Sequence, residues 1–181
     1  MTGLLRLLRR FRKSADGSAS VEFVIIFPIF MLLFLSSFEL GTVMLRQTML
    51  DRGIDMTVRQ VRLGLVVPVT HDRLKDMICQ RAAMLPNCAA ELKLEMIVTN
   101  PRAWRNLGAN ADCVDVVNRL QPPREFEAGA PNQMMLLRAC HLFQPYFANV
   151  SMGALLGDLI PKESGNMYAL ISTSSYVVEP N

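Results

Sequence analysis

The sequence predicts an α+β fold in which an N-terminal transmembrane helix and helical stem precede a small antiparallel sheet with a packed helix. Three observations carry this expectation. From Phe23 to Phe38 the chain runs without a charge, which with its flanks is long enough to cross a bilayer. Leu50, Ile54, Val58, Val61 and Leu65 then recur at spacings of 4, 4, 3 and 4, the period of a helix with one apolar face. From Leu92 the period changes: Leu92, Leu94, Met96 and Val98 alternate with Lys93, Glu95, Ile97 and Thr99, as in a half-buried strand.

The 181 residues are 51% hydrophobic and 19% charged, which suits one membrane segment and one modest globular domain and leaves no room for a second. The division read from the sequence is a basic cytoplasmic leader at 1–17, a transmembrane helix at 18–45, an amphipathic stem at 46–68 and an extracytoplasmic α+β domain at 69–181. Five of the 19 basic residues, Arg6, Arg9, Arg10, Arg12 and Lys13, fall in the leader, so the rest of the chain is close to neutral. Positive charge before the first hydrophobic segment holds that end in the cytoplasm. No basic stripe interleaved with aromatics follows, which argues against nucleic acid as a partner.

From Val21 to Met44 a helix would extend about 36 Å at 1.5 Å per residue, enough for a hydrocarbon core of roughly 30 Å. Only Glu22 and Glu39 are charged within it, and Glu39 is expected near the far interface with no special role. Pro28 removes one backbone donor and is expected to kink or locally unwind the helix. The apolar stretch is longer than a secretory h-region and no A-x-A site follows, so the segment reads as a retained anchor. The stem beyond it either leans on the globular domain or packs against another subunit's stem. Gly53 and Gly64 weaken it, and Gly64 with Pro68 marks its end.

A second helix is expected from His71 to Leu85, with Thr70 as N-cap and Pro86 as its stop. Residues 100 to 133 read as an exposed loop with a helical piece at Asp112 to Leu120 and Trp104 as an anchor. Met134 to Phe147 and Met167 to Val178 read as further strands, separated by a short helix from Phe147 to Leu159 and a turn at Ser164-Gly165-Asn166.

Cys79, Cys88, Cys113 and Cys140 all follow the apolar run, and an even count on one side of a membrane points to disulfides in an oxidising compartment. Three pairings are open. A Cys79–Cys88 bridge would staple helix to strand, and Cys113–Cys140 would then tie the long loop to the second strand. No spacing fits a common zinc pattern, so neither metal nor cofactor is expected. His71 and His141 are the only histidines, and no G-x-S-x-G, Walker loop or H-E-x-x-H is present. Glu91 and Glu95 are accounted for by exposed alternation. No catalytic set emerges, and the chain does not read as an enzyme.

Taken together, Gly17-Ser-Ala-Ser-Val-Glu22-Phe23, the Pro28-containing helix closing on Phe38-Glu39-Leu40-Gly41, the stem and the final Thr173-Ser-Ser-Tyr-Val-Val-Glu179-Pro180 resemble the TadE-like proteins, minor pseudopilins of the tight-adherence (Flp) pilus system. The resemblance implies a bacterial inner-membrane protein with a cytoplasmic N-terminus and a periplasmic domain that assembles or primes a pilus. It implies as partners a prepilin peptidase, other pilus-assembly membrane proteins or pseudopilins, and the lipid bilayer. Cleavage would fall between Gly17 and Ser18, making Glu22 the fifth mature residue; Phe23 stands where the family motif often has tyrosine. The new α-ammonium at Ser18, with an ordinary pKa of about 8, would offer Glu22 a cationic partner in surroundings where a lone carboxylate is costly. The other reading of the same residues is an uncleaved bitopic protein whose outer domain binds an envelope component.

Overall fold

The computed structural model describes residues 18–103, 107–108, 111–114, 125–147, 162–163 and 167–180. The leader, Trp104, most of the helix expected at Asp112 to Leu120, nearly all of that expected at Phe147 to Leu159, and the turn at Ser164-Gly165-Asn166 lie outside them. Residues 112–114 themselves are not helical.

One helix, α1 (Ser18–Arg62, 45 residues), holds both the apolar run and the amphipathic stripe and passes through Pro28 without interruption. Its two halves face different surroundings. Between Val21 and Leu45 the large apolar side chains are mostly exposed, Val24 at 68% and Phe34 at 56%, and the helix is long and apolar enough to cross a membrane. The hydroxyls in this half return to the helix's own carbonyls, Ser36 to Leu32 at 2.6 Å and Ser37 to Leu33 at 2.8 Å, so they need no water. In the second half Leu50, Ile54, Val58 and Val61 are buried. This stripe packs on the chain's own globular part.

The stripe stops one residue short of expectation, because Leu65 is exposed. Gly64 takes a positive φ of 68°, its N–H bonds to Val61 O and that of Leu65 to Gln60 O, both at 3.0 Å. This is a Schellman ending, which turns Leu65 off the helical face. Glu179 N–H donates to Arg62 O at 3.0 Å, so the C-terminal segment satisfies a carbonyl at the helix end.

Helix α2 (His71–Arg81) starts at Thr70, whose hydroxyl accepts from Arg73 N–H, and buries Leu74 and Ile78. It ends at Arg81 rather than Leu85. Continued to Leu85, a helix would carry the chain about 9 Å past Cys79, leaving three residues to bring Cys88 back. Instead the chain turns and enters a short helix, α3 (Cys88–Glu91), and Cys79 and Cys88 are bonded with Cα atoms 5.6 Å apart. Where α1 and α2 cross, Gly53 lets the backbones approach: a Cβ there would lie 3.0 Å from Ile78 O and 3.2 Å from Ala82 Cβ.

Four strands are found among the described residues: β1 (Leu92–Thr99), β2 (Met134–Phe143), the two-residue β3 (Lys162–Glu163) and β4 (Met167–Val177). They form an antiparallel sheet in the order β1-β2-β4-β3. Leu94 pairs with Ala139 and Met96 with Leu137, which puts Leu92, Leu94, Met96, Met135, Leu137 and Ala139 on the face that meets α1 and α2 in the main core.

The other face corrects the sequence reading. Strand β1 is buried on both sides rather than half-buried, and the loop that was expected to be exposed supplies the cover. Leu107 packs on Ile97 and Leu136, and Val114 on Cys140, Leu142 and Ala169. Between these patches Lys93 Nζ meets Asp112 at 3.1 Å and Arg138 meets Glu95 at 2.6 Å, while Asp112 N–H donates to Glu95 at 3.0 Å and Arg138 to Gly108 O at 2.8 Å. Glu95 and Glu91 are therefore buried, not exposed by alternation. Cys113–Cys140 ties this cover to β2.

The crossing at Gly53 is a sensitive point. Gly53→Val should lower the stability of the folded domain by about 1–3 kcal/mol through overpacking. Gly41→Ala, with nothing within 4 Å of the new methyl, should cost nothing. Denaturant unfolding of the full chain in detergent, followed by circular dichroism, checks both.

Candidate functional site

Of the residues singled out from the sequence, Ser18, Glu22 and Phe23 lie at one end of α1. Ser18 opens the helix and Glu22 lies one turn in on its exposed surface. Phe23 is exposed and stacks on Phe27, ring centroids 4.8 Å apart. Gly17 lies outside the described residues. The four cysteines sit far along the chain in the globular part and are joined in two bridges, Cys79–Cys88 and Cys113–Cys140. Among the described residues no three His, Cys, Asp or Glu side chains come together as a metal site.

Where the helix leaves its apolar stretch, a second set converges that the sequence reading passed over. Glu39, expected to have no special role, is 5% exposed. Its carboxylate accepts the N–H of Tyr146 at 3.1 Å and that of Phe147 at 3.2 Å. Phe147 also meets Phe38 edge-on at 6.4 Å. The chain leaving β2 thus folds down beside the apolar half of α1 and supplies donors to a carboxylate that would otherwise be buried without them. Two turns further on, the Arg46 guanidinium lies 4.9 Å from the Phe143 ring and 5.0 Å from the Tyr146 ring, within cation–π range of both. The signal available in the sequence was a glutamate closing a run of 16 uncharged residues; its partner lies 107 positions away.

His141 sits above this cluster, fully buried, its Nε2 bonded to Pro86 O at 3.1 Å. Burial, only partly offset by that carbonyl and reinforced by the Arg46 charge, lowers its pKa to about 4. Tyr168 is held above its ordinary range by burial and by Glu39. Nothing in this set pairs a nucleophile with a base. The groups position one another, and the arrangement fastens the domain to the end of the apolar half of α1.

Residues 17–59 match the family model described as TadE-like protein. The chain carries a TadE-like segment. The match opens on Gly17, takes in Ser18, Glu22, Phe23 and Glu39, and ends inside the buried half of α1. It stops well short of Thr173 to Pro180, which the sequence resemblance had included. No curated protein and no solved structure matches the chain.

Two measurements probe this region. Glu39→Ala should destabilise the domain by about 2–3 kcal/mol by leaving two amides without their acceptor, and Glu39→Gln, which keeps an oxygen, should cost less. Chemical denaturation of the detergent-solubilised variants reads the difference. His141 takes up its proton more readily unfolded, at about 6.5, than folded, at about 4. Stability is therefore full above pH 6.5 and falls as pH drops toward 4. Unfolding at pH 5 should be easier than at pH 7.5 by about 2 kcal/mol, with His141→Gln removing most of that difference.

Proposed function

We propose that this protein is a minor pseudopilin-like component that assembles or primes a tight-adherence pilus and catalyses no reaction itself. The observation that carries the reading is the position of the TadE-like match, which starts at Gly17 and lies on a helix whose first half is apolar and exposed. In this reading the basic leader stays in the cytoplasm, the helix crosses the bacterial inner membrane, and the domain beyond residue 69 faces the periplasm, where two disulfides form readily.

A prepilin peptidase cuts between Gly17 and Ser18. The new ammonium at Ser18 pairs with Glu22 of its own or a neighbouring subunit, which gives the helices a preferred axial register. Ser18, Ala19 and Ser20 are small enough for close helix approach. Other pseudopilins or pilus-assembly membrane proteins are the partners.

Intact-mass measurement of the protein from piliated cells tests this. The expected species begins at Ser18, and Gly17→Ala should leave the full-length precursor and reduce piliation. Recovery of residues 1–17 on the mature protein, with Gly17→Ala making no difference, would replace the reading with an uncleaved anchor. Glu22→Ala should insert normally and fail in assembly.

A further inference from the structure

Beside the Glu39 anchor point lies a cavity of about 310 Å³ bounded, among the described residues, by Arg46, Glu91, Leu142, Phe143, Tyr146 and Met167. Arg46 is 6% exposed, and its Nη1 has no hydrogen-bond partner among the described residues. Two aromatic rings hold the guanidinium but supply no acceptor oxygen. A buried guanidinium nitrogen left in this state is costly, and a phosphate or carboxylate oxygen is its natural complement.

Depth along α1 narrows the choice. Taking the membrane-anchor reading, a hydrocarbon core of about 30 Å entered at Phe23 ends near Val43, and Arg46 then lies about 5 Å further out, within the headgroup layer. Tyr146 is 63% exposed at the same level, a place where amphipathic rings favour the membrane–water boundary. The apolar walls from Leu142, Phe143 and Met167 can take the glycerol end of a lipid. Glu91 lines the same cavity and disfavours a ligand of net negative charge, while favouring one whose phosphate is followed by an ammonium.

The geometry points to a phospholipid site on the outer side of the membrane, in which Arg46 holds the phosphodiester and Glu91 faces the ammonium of an aminophospholipid such as phosphatidylethanolamine. A bound lipid would complete the hydrogen bonding of Arg46 and fix the height of the domain above the bilayer. The inference rests on the anchor reading and is independent of cleavage at Gly17.

The test uses the full chain in nanodiscs of mixed phosphatidylethanolamine, phosphatidylglycerol and phosphatidylcholine, with retained lipid read by native mass spectrometry after transfer to detergent. Wild-type protein should retain phosphatidylethanolamine about tenfold more than Arg46→Gln does, and Glu91→Gln should shift retention toward phosphatidylglycerol. Should Arg46→Gln fail to fold, the Glu91→Gln shift in selectivity still decides. Equal retention by wild type and both variants overturns the site and leaves an acidic group of a partner protein as the ligand of Arg46. Displacement of the lipid by millimolar inorganic phosphate shows that only the free anion is read and overturns the lipid assignment. A chain that does not enter the bilayer at all overturns the anchor reading along with the site, whereas one that enters without any lipid preference overturns the site alone.

Discussion

The contact on which the structure depends is the burial of Leu50, Ile54, Val58 and Val61 of α1 against α2 and the sheet, made possible by the close backbone approach at Gly53. The helix that carries the long apolar run is thereby a core element of the globular part. Four fully or nearly buried aliphatic side chains represent a gain of several kcal/mol from apolar burial alone. Without them the sheet would lose the cover on its main face, and its short helices would have little left to pack against. Apolar helix and domain are one folding unit at this point, since removing the stripe would remove the core.

A second constraint acts on the opposite face of the sheet. Buried ion pairs such as Lys93–Asp112 and Arg138–Glu95 add little net stability compared with apolar packing, yet losing one partner is expensive because a charge is left behind. Their value here is positional. They fix where the 107–114 segment lies, and Cys113–Cys140 holds it there while Leu107 and Val114 close over β1 and β2. The small sheet is thus covered twice, once by helices and once by a loop pinned by charge and sulfur.

The sequence was legible wherever the decisive relation is local. The helical stripe, the Thr70 cap, the strand alternation and the apolar run can each be read within 16 residues, and the structure contains a helix, a cap, a strand and an apolar helical segment there. Relations between distant residues were not. Lys93 and Glu95 alternate with apolar neighbours as exposed residues do, and only Asp112 and Arg138, brought in by folding, show that they are buried. Leu65 continues the stripe in spacing but not in space, because the helix ends at Arg62 and Gly64 adopts a left-handed conformation just beyond it. Glu39 looked like an interfacial charge of no consequence because its acceptor role depends on the amides of Tyr146 and Phe147. The candidate site was visible at its N-terminal end, where a short motif carries it, and invisible at the Arg46 end, where three separate segments meet.

The uninterrupted course of α1 from Ser18 to Arg62 has a mechanical consequence. Under the anchor reading proposed above, the helix from Arg46 to Arg62 extends about 24 Å beyond the membrane boundary at 1.5 Å per residue, and its tip is bonded to the segment that follows β4 through Glu179 N–H. Transmembrane helices tilt readily by 10° or more, and a tilt of about 10° at the bilayer would swing that tip by about 4 Å. Under that reading the helix acts as a lever with its fulcrum at the membrane surface. A tilt imposed on the membrane-embedded arm would then be carried through the continuous helix to the far end of the domain, diminished only in the ratio of the shorter outer arm to the longer inner one.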